Sequence, residues 1–220
     1  MAEPIEDGIL REIDEELRQD QFAELWKRYG RIIVTGAFLI VASVAGYKAW
    51  ENYDISSRGQ QGERLAAALR LSADGNQDAA LDALTTLKAE AGTGYQMLSG
   101  FQAAALMARN GDGQGAAAAY DTLAADSSID SVYRDLAALL GTVQRLNGGG
   151  EATELTSILA PLSADDNPWR HSARELLAVI ASQTGDKTKA RELFKALSED
   201  ATTPQGIRQR AGEMLSALTE

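Results

Sequence analysis

From Ile32 to Tyr47 the chain reads IIVTGAFLIVASVAGY, sixteen residues without a charge, Pro, Asn or Gln, and charged segments flank it on both sides. Such a run has no polar face to turn toward water, unlike the amphipathic helices of a soluble core. Sixteen helical residues cover about 24 Å, and counting outward to Tyr29 and Trp50 gives about 33 Å, against a hydrocarbon thickness of about 30 Å. Aromatic residues then stand at both ends, and Lys48 can extend its ammonium to the interface. The pattern predicts one membrane-spanning helix over residues 32–50.

Upstream, Leu10, Ile13 and Leu17 form a stripe that Phe22, Leu25, Trp26 and Tyr29 continue with a small rotation, and acids fill the other faces. This predicts an acidic amphipathic helix over residues 5–29, within a segment 1–31. It either docks a partner, lies at the membrane surface, or forms a solvated lead-in. Lys27, Arg28 and Arg31 crowd the near end of the apolar run, whereas Lys48 stands alone on the far side before Arg58. The positive-inside rule therefore puts residues 1–31 in the cytoplasm and the rest of the chain, beyond the span, across the membrane. A cleaved signal is the rival reading, because Ser43-Val44-Ala45 fits a small-x-small site. Its n-region would be acid-rich and its apolar run longer than the usual stretch of about 7–15 residues. A buried core helix would need a large surrounding core, and charged flanks argue against one.

Beyond Trp50 the apolar spacing is helical throughout, without the alternation that marks strands. Helices are expected in pairs: 58–73 with 77–91, 95–109 with 113–126, 130–147 with 151–162, and 168–184 with 187–199. A last helix follows at 204–219. The turns inside the pairs hold Gly75, Gly111, Gly148 and Gly185, 36 or 37 residues apart. Each fits the left-handed position that closes a helix. Asp166-Asn167-Pro168 and Thr203-Pro204 read as helix starts with Pro in the first turn. Each second helix repeats a small residue, a large apolar residue four later, and another three after that: Ala80, Leu84, Leu87; Ala116, Tyr120, Leu123; Ala190, Phe194, Leu197. The third pair is less regular, with Leu155, Ile158 and Leu162 on its stripe. Period and pattern predict an array of about four helical hairpins plus a capping helix.

These residues resemble the tetratricopeptide repeat, whose small first-helix position matches Ala68, Ala104 and Ala178. The period is slightly long and the Pro that ends a typical repeat is mostly missing. The layout before the repeats resembles the ancillary Sec translocon subunit family of Gram-negative bacteria: an acidic helix ending in Glu24-Leu25-Trp26-Lys27-Arg28-Tyr29-Gly30, one span, then divergent repeats. At motif level this likeness covers about residues 12–53. It implies a single-pass inner-membrane protein with a cytoplasmic N-terminus and a periplasmic repeat domain over residues 51–220. It further implies partnership with the Sec translocon, a membrane-anchored periplasmic chaperone and exported polypeptides.

Charge and composition narrow the chemistry. The net charge of −11 divides into −3 for residues 1–50 (six basic, nine acidic) and −8 for residues 51–220 (15 basic, 23 acidic). An acidic domain repels phosphate backbones, so no nucleic-acid partner is expected. Cysteine is absent, which excludes disulfides, thiolate metal sites and cysteine catalysis. The single histidine, His171, has no second His or Cys with which to complete a metal site. Gly111-Asp112-Gly113-Gln114-Gly115 follows a helix where a dinucleotide loop follows a strand, so it reads as a turn. Gly148-Gly149-Gly150 reads as slack between helices. No nucleophile elbow, P-loop or zinc-protease signature occurs, and neither cofactor nor catalytic residue is expected.

The expected function is therefore that of a non-enzymatic, membrane-anchored interaction scaffold. Two rivals are a soluble exported repeat protein coordinating envelope growth or division, and a hydrolase built from unrecognised carboxylates. Partner-binding candidates on the first helices are Tyr95, Tyr133, Arg134, Trp169 and Arg170, as aromatic and Arg side chains commonly anchor interfaces. Each aromatic has the alternative of packing between neighbouring hairpins. Within the span, Gly36, Ala42, Ser43 and Gly46 form a small-residue face for a helix contact, with a second copy or with a partner's span.

Overall fold

The computed structural model describes the backbone of residues 4–218, and the side chains of residue 23 and of residues 26–218. The amphipathic stripe expected on Leu10, Ile13, Leu17, Phe22 and Leu25 lies outside the described side chains. Among the described residues there are nine helices and no strand. They are α1 (Pro4–Ala73), α2 (Gln77–Glu90), α3 (Thr93–Arg109), α4 (Gly113–Ala125), α5 (Ser131–Asn147), α6 (Ala152–Leu162), α7 (Arg170–Gln183), α8 (Lys187–Glu199) and α9 (Gln205–Ala217). The chain divides into two compact units, Met1–Gly59 and Gln60–Glu220.

Helix α1 differs from expectation in continuity. The segments 5–29, 32–50 and 58–73 all belong to α1. No Pro interrupts residues 48–61, and the isolated Gly59 costs a helix only about 1 kcal/mol. Ion pairs one turn apart, Lys48–Glu51 at 2.6 Å and Asp54–Arg58 at 2.8 Å, span the segment where a break was expected. Around the apolar run, Ile32, Phe38, Leu39, Ile40, Val41 and Val44 are all exposed. Thr35 donates its hydroxyl to the Arg31 carbonyl at 2.8 Å, so the run has no polar side chain seeking an outside partner at that point. The stretch Trp26–Ala73 holds a segment long and apolar enough to cross a membrane, and none of that segment is buried.

In the second unit each core is shared by three helices. Ala68 of α1, Ala80 and Leu84 of α2, and Ala103 and Leu106 of α3 form the first. Ala104, Tyr120, Leu123, Ile129 and Ala137 link α3, α4 and α5. Leu139, Leu155, Leu159, Leu162, Ala173 and Ile180 link α5, α6 and α7. Ala178, Ala190, Phe194, Leu197, Ile207 and Ala211 link α7, α8 and α9. Each hairpin thus covers its apolar face with the next hairpin's first helix, and α9 takes that place at the end. The small residues Ala68, Ala104, Ala178, Ala80, Ala116 and Ala190 are fully buried, which lets paired backbones approach.

The turns close as expected in three places and one residue late in the fourth. Gly75, Gly111 and Gly185 have φ of +84°, +87° and +83°, but in the third hairpin it is Gly149, at +78°, and not Gly148, that is left-handed. There α5 runs to Asn147, so Gly148 occupies the position held by Asp74, Asn110 and Thr184 elsewhere. The Gly150 amide then donates to the Arg145 carbonyl at 2.8 Å, as the Asn76 amide does to Leu71 and the Asp112 amide to Met107.

The third hairpin is also more regular than its sequence suggests. Leu155, Leu159 and Leu162 are buried at the i, i+4, i+7 spacing of the other hairpins, while Ile158 is half-buried beside them. Leu has replaced the small residue at the start of the triplet. On α5 the place of Ala104, seven residues before the left-handed glycine, is taken by the fully buried Thr142. Its hydroxyl donates to the Ala138 carbonyl at 2.8 Å, which satisfies it within the helix. Helix α7 begins at Arg170, two residues later than Pro168 suggested, because the Asn167 side chain accepts the Trp169 amide at 2.8 Å and holds a turn there.

Candidate functional site

The first helices carry a repeated aromatic position. Tyr95, Tyr133 and Trp169 each lie sixteen residues before a left-handed glycine (Gly111, Gly149 and Gly185). Two of the three are engaged by their neighbours. The Tyr95 hydroxyl sits over Gly62 so closely that a Cβ there would lie 2.9 Å from it. Trp169 donates its indole N–H to the Val132 carbonyl at 2.8 Å and packs on the α5–α6–α7 core. Beside it, Asn167 donates to the Asp135 carboxylate at 2.8 Å, so α7 is fastened to α5 at two points.

Tyr133 remains free-standing by comparison, 46% exposed, next to the exposed Val132. Arg134 is half-buried in the first turn of α5, whose Asp130 cap accepts the Val132 amide at 3.0 Å. Arg170 is half-buried at the start of α7, near His171 and Asp200. The fold therefore brings Trp169 against the segment that carries Tyr133 and Arg134, while Arg170 lies by His171 and Asp200 and Tyr95 stands apart against α1. In the apolar run, a Cβ on Gly36 or Gly46 would meet nothing within 4 Å, and Ala42 and Ser43 are exposed.

His171 lies buried at the junction of α7 with the loop before α9. Its Nδ1 is 3.2 Å from the Thr203 hydroxyl and its Nε2 is 3.5 Å from that of Thr202. Burial, followed by the nearby Arg170, holds the imidazole below its ordinary value, despite Asp200 at 4.0 Å. Asp200 is itself held low by hydrogen bonds from Thr202, and Asp165 by Arg174. A carboxylate held low stays ionised near neutrality and is poorly suited to act as a general acid.

One feature escaped the sequence reading. A cleft of about 770 Å³ opens between α4 and the C-terminal end of α5, bordered by both hairpin turns. Gln114, Ala118 and Asp121 line it from α4, and Gln144, Arg145 and Asn147 from α5, with glycines of the two turns completing the wall. Arg145 pairs with Asp121 across the helix interface. Its signals in the sequence are the alanine run Ala116–Ala119 and the triple glycine, neither of which names a chemistry on its own.

A family described as tetratricopeptide repeat-like domain matches residues 24–215. The comparison with curated proteins gives no match.

Proposed function

Because the chain belongs to the tetratricopeptide repeat-like domain family, we propose that it is a membrane-anchored scaffold for protein–protein interaction, working without catalysis in a bacterial inner membrane. The observation that carries this reading is the pairing of an unburied apolar run with a helical repeat array that leaves first-helix side chains such as Tyr133 open to solvent. Residues 1–31 are cytoplasmic, 32–50 form the span and 51–220 face the periplasm, an orientation supported by Lys27, Arg28 and Arg31 at the near end of the run. The resemblance of residues 12–53 to the ancillary Sec translocon subunit family supports the Sec translocon, an anchored periplasmic chaperone and exported chains as partners. Confinement to the membrane plane raises the effective concentration of the domain beside other anchored proteins, so weak contacts suffice. Small residues Gly36, Ala42, Ser43 and Gly46 offer the span a close helix contact, with a second copy or a partner's span.

The test is in-cell photo-crosslinking with the probe at Tyr133, the exposed member of the aromatic series, and with a probe at the packed Trp169 as the comparison. Adducts with the Sec channel, an anchored chaperone or exported chains are expected from position 133 and few from position 169. Adducts with cytosolic proteins alone would overturn the orientation and the translocon role. N-terminal sequencing of the mature protein separates the anchored form from a cleaved, soluble one: a chain starting after Ala45 would sink the anchor.

A further inference from the structure

Three regions of the repeat domain offer surface that the aromatic positions do not use. They are the cleft between α4 and α5, a cleft of about 690 Å³ between α6, α7 and α8, and the His171 pocket. The second of these is lined by aliphatic, hydroxyl and charged side chains alike, Arg174, Asp186 and Lys189 among them, and Arg174 is already paired with Asp165. Nothing there selects an occupant. The His171 pocket is closed by its own threonines. The α4–α5 cleft differs because its lining is chemically restrictive.

The α4 wall of the cleft is built largely from small side chains. In the repeat register Ala117 and Ala118 stand where α2 has Leu81 and Asp82 and α8 has Arg191 and Glu192. Ala117 is buried and Ala118 exposed, and both line the cleft. The volume falls within the range of about 300–1,000 Å³ typical of ligand sites.

The lining excludes most ligand classes. No aromatic side chain borders the cleft, so neither a sugar ring nor a base has a surface to stack on. Arg145 is the one cation in the lining and Asp121 the one acid, and they are joined to each other, which leaves no uncommitted charge for a phosphate or an ammonium. What remains is three primary amides, Gln114, Gln144 and Asn147, on a wall of glycine and alanine. A primary amide presents a donor and an acceptor side by side, which matches the peptide group. Small walls let a main chain come within hydrogen-bonding distance. The Gln144 carboxamide oxygen lies near the backbone of Gly113, where an added Cβ would be 3.9 Å away, so the two sides of the cleft face each other at this point.

We infer that the α4–α5 cleft binds an extended stretch of polypeptide through its main chain, with Gln114, Gln144 and Asn147 pairing with peptide groups. This rests on the scaffold reading above and specifies its ligand as unfolded or extended chain with little side-chain selectivity. The glycines and alanines are then required for approach.

The test uses the full chain in lipid nanodiscs and fluorescence anisotropy with an uncharged, fluorescein-labelled peptide rich in Val, Ser and Thr. A sequence-scrambled version of that peptide keeps the main chain and changes the side-chain order, while an N-methylated version removes the backbone donors. Ala118 and Gln114 are exposed, so Ala118→Trp and Gln114→Trp each obstruct the cleft without entering the core. Ala160→Trp, on the exposed face of α6, is the control. Parent and scrambled peptides should bind alike. N-methylation and either obstruction should weaken binding by about tenfold or more, since each lost hydrogen bond costs up to about that factor, and Ala160→Trp should leave it unchanged. Failure of all peptides to bind, equal binding of the N-methylated peptide, or full binding by both obstructed variants would overturn the inference. Crosslinks from position 133 in the same cells separate the two readings. Their persistence alongside negative peptide data removes only the cleft, and their absence removes the scaffold.

Discussion

Replacing Phe194 by Ala takes the largest fully buried side chain of the array out of its terminal core. Phe194 is 1% exposed and lies among Ala178, Ala190, Leu197, Ile207 and Ala211, so the vacated space is bordered by α7, α8 and α9. Small neighbours on three sides leave little with which to fill it, which puts the cost toward the upper part of the usual range of about 3–5 kcal/mol. That is a large fraction of the roughly 5–15 kcal/mol that holds a domain together. In an array whose cores each join only adjacent helices, the loss should stay local. Hydrogen exchange followed by mass spectrometry on the full chain in nanodiscs reads this directly. Peptides from α8 and α9 should lose protection, whereas those from α2, α3 and α4 should keep theirs. Phe194→Leu should produce a smaller change in the same peptides. Uniform loss of protection across residues 77–217 would refute the reasoning, because the domain would then unfold as one cooperative unit.

Three further outcomes follow from local geometry. His171 has its folded pKa below the ordinary value of 6.5, so the unfolded chain takes up the proton first. Stability should therefore be full above about pH 6.5 and decline as pH falls through that value; with Arg170, Arg174 and Asp200 retained, His171→Gln should flatten thermal unfolding curves over this window. Gly149→Ala should destabilise by about 1–2 kcal/mol because its φ is left-handed, while Gly148→Ala stays within about 0.5 kcal/mol, as urea titrations of the two variants can compare. Trp169→Phe should cost about 0.5–1.5 kcal/mol through loss of the bond to the Val132 carbonyl, whereas Tyr133→Ser should change stability by less than about 0.5 kcal/mol; equal costs would contradict the different packing of the two positions.

The architecture was readable because it rests on short-range rules. Glycine closes a helix wherever the backbone turns left-handed, and the small-large-large triplets must face inward for hairpins to meet, so Gly75, Gly111 and Gly185 and the triplets of α2, α4 and α8 stand where the spacing put them. Asp112 and Asp186 cap α4 and α8 by accepting the amides of Gly115 and Lys189. Where several residues satisfied the same rule, sequence could not choose. Gly148 and Gly149 are equivalent as letters, and only the extent of α5 separates them. Ile158 and Leu159 are equally apolar, and the register of α6 decides which is buried. The packing of Tyr95 and Trp169 depends on Gly62 and on the Val132 carbonyl, in each case about one repeat away in sequence. The α4–α5 cleft depends on amides that two helices bring together, and the alanines and glycines around them name no chemistry in the sequence.

The places where local rules bend fall together in the chain. The third hairpin carries the late left-handed glycine, the Leu in place of a small residue at 155 and the Thr in place of Ala at 142; the alanine run of α4 lies immediately before it. Small residues line the α4 side of the cleft, whereas Leu155, in the place of the small residue of the other hairpins, is fully buried in the α5–α6–α7 core. A drift of sequence under relaxed packing would be expected to loosen the core and the surface alike. Here the core stays filled, and the α4–α5 cleft opens where Gln114, Gln144 and Asn147 border it. Proteins tend to depart from local regularity where a site requires it, and the clustering of these departures beside the cleft is the physical argument for the ligand site proposed there.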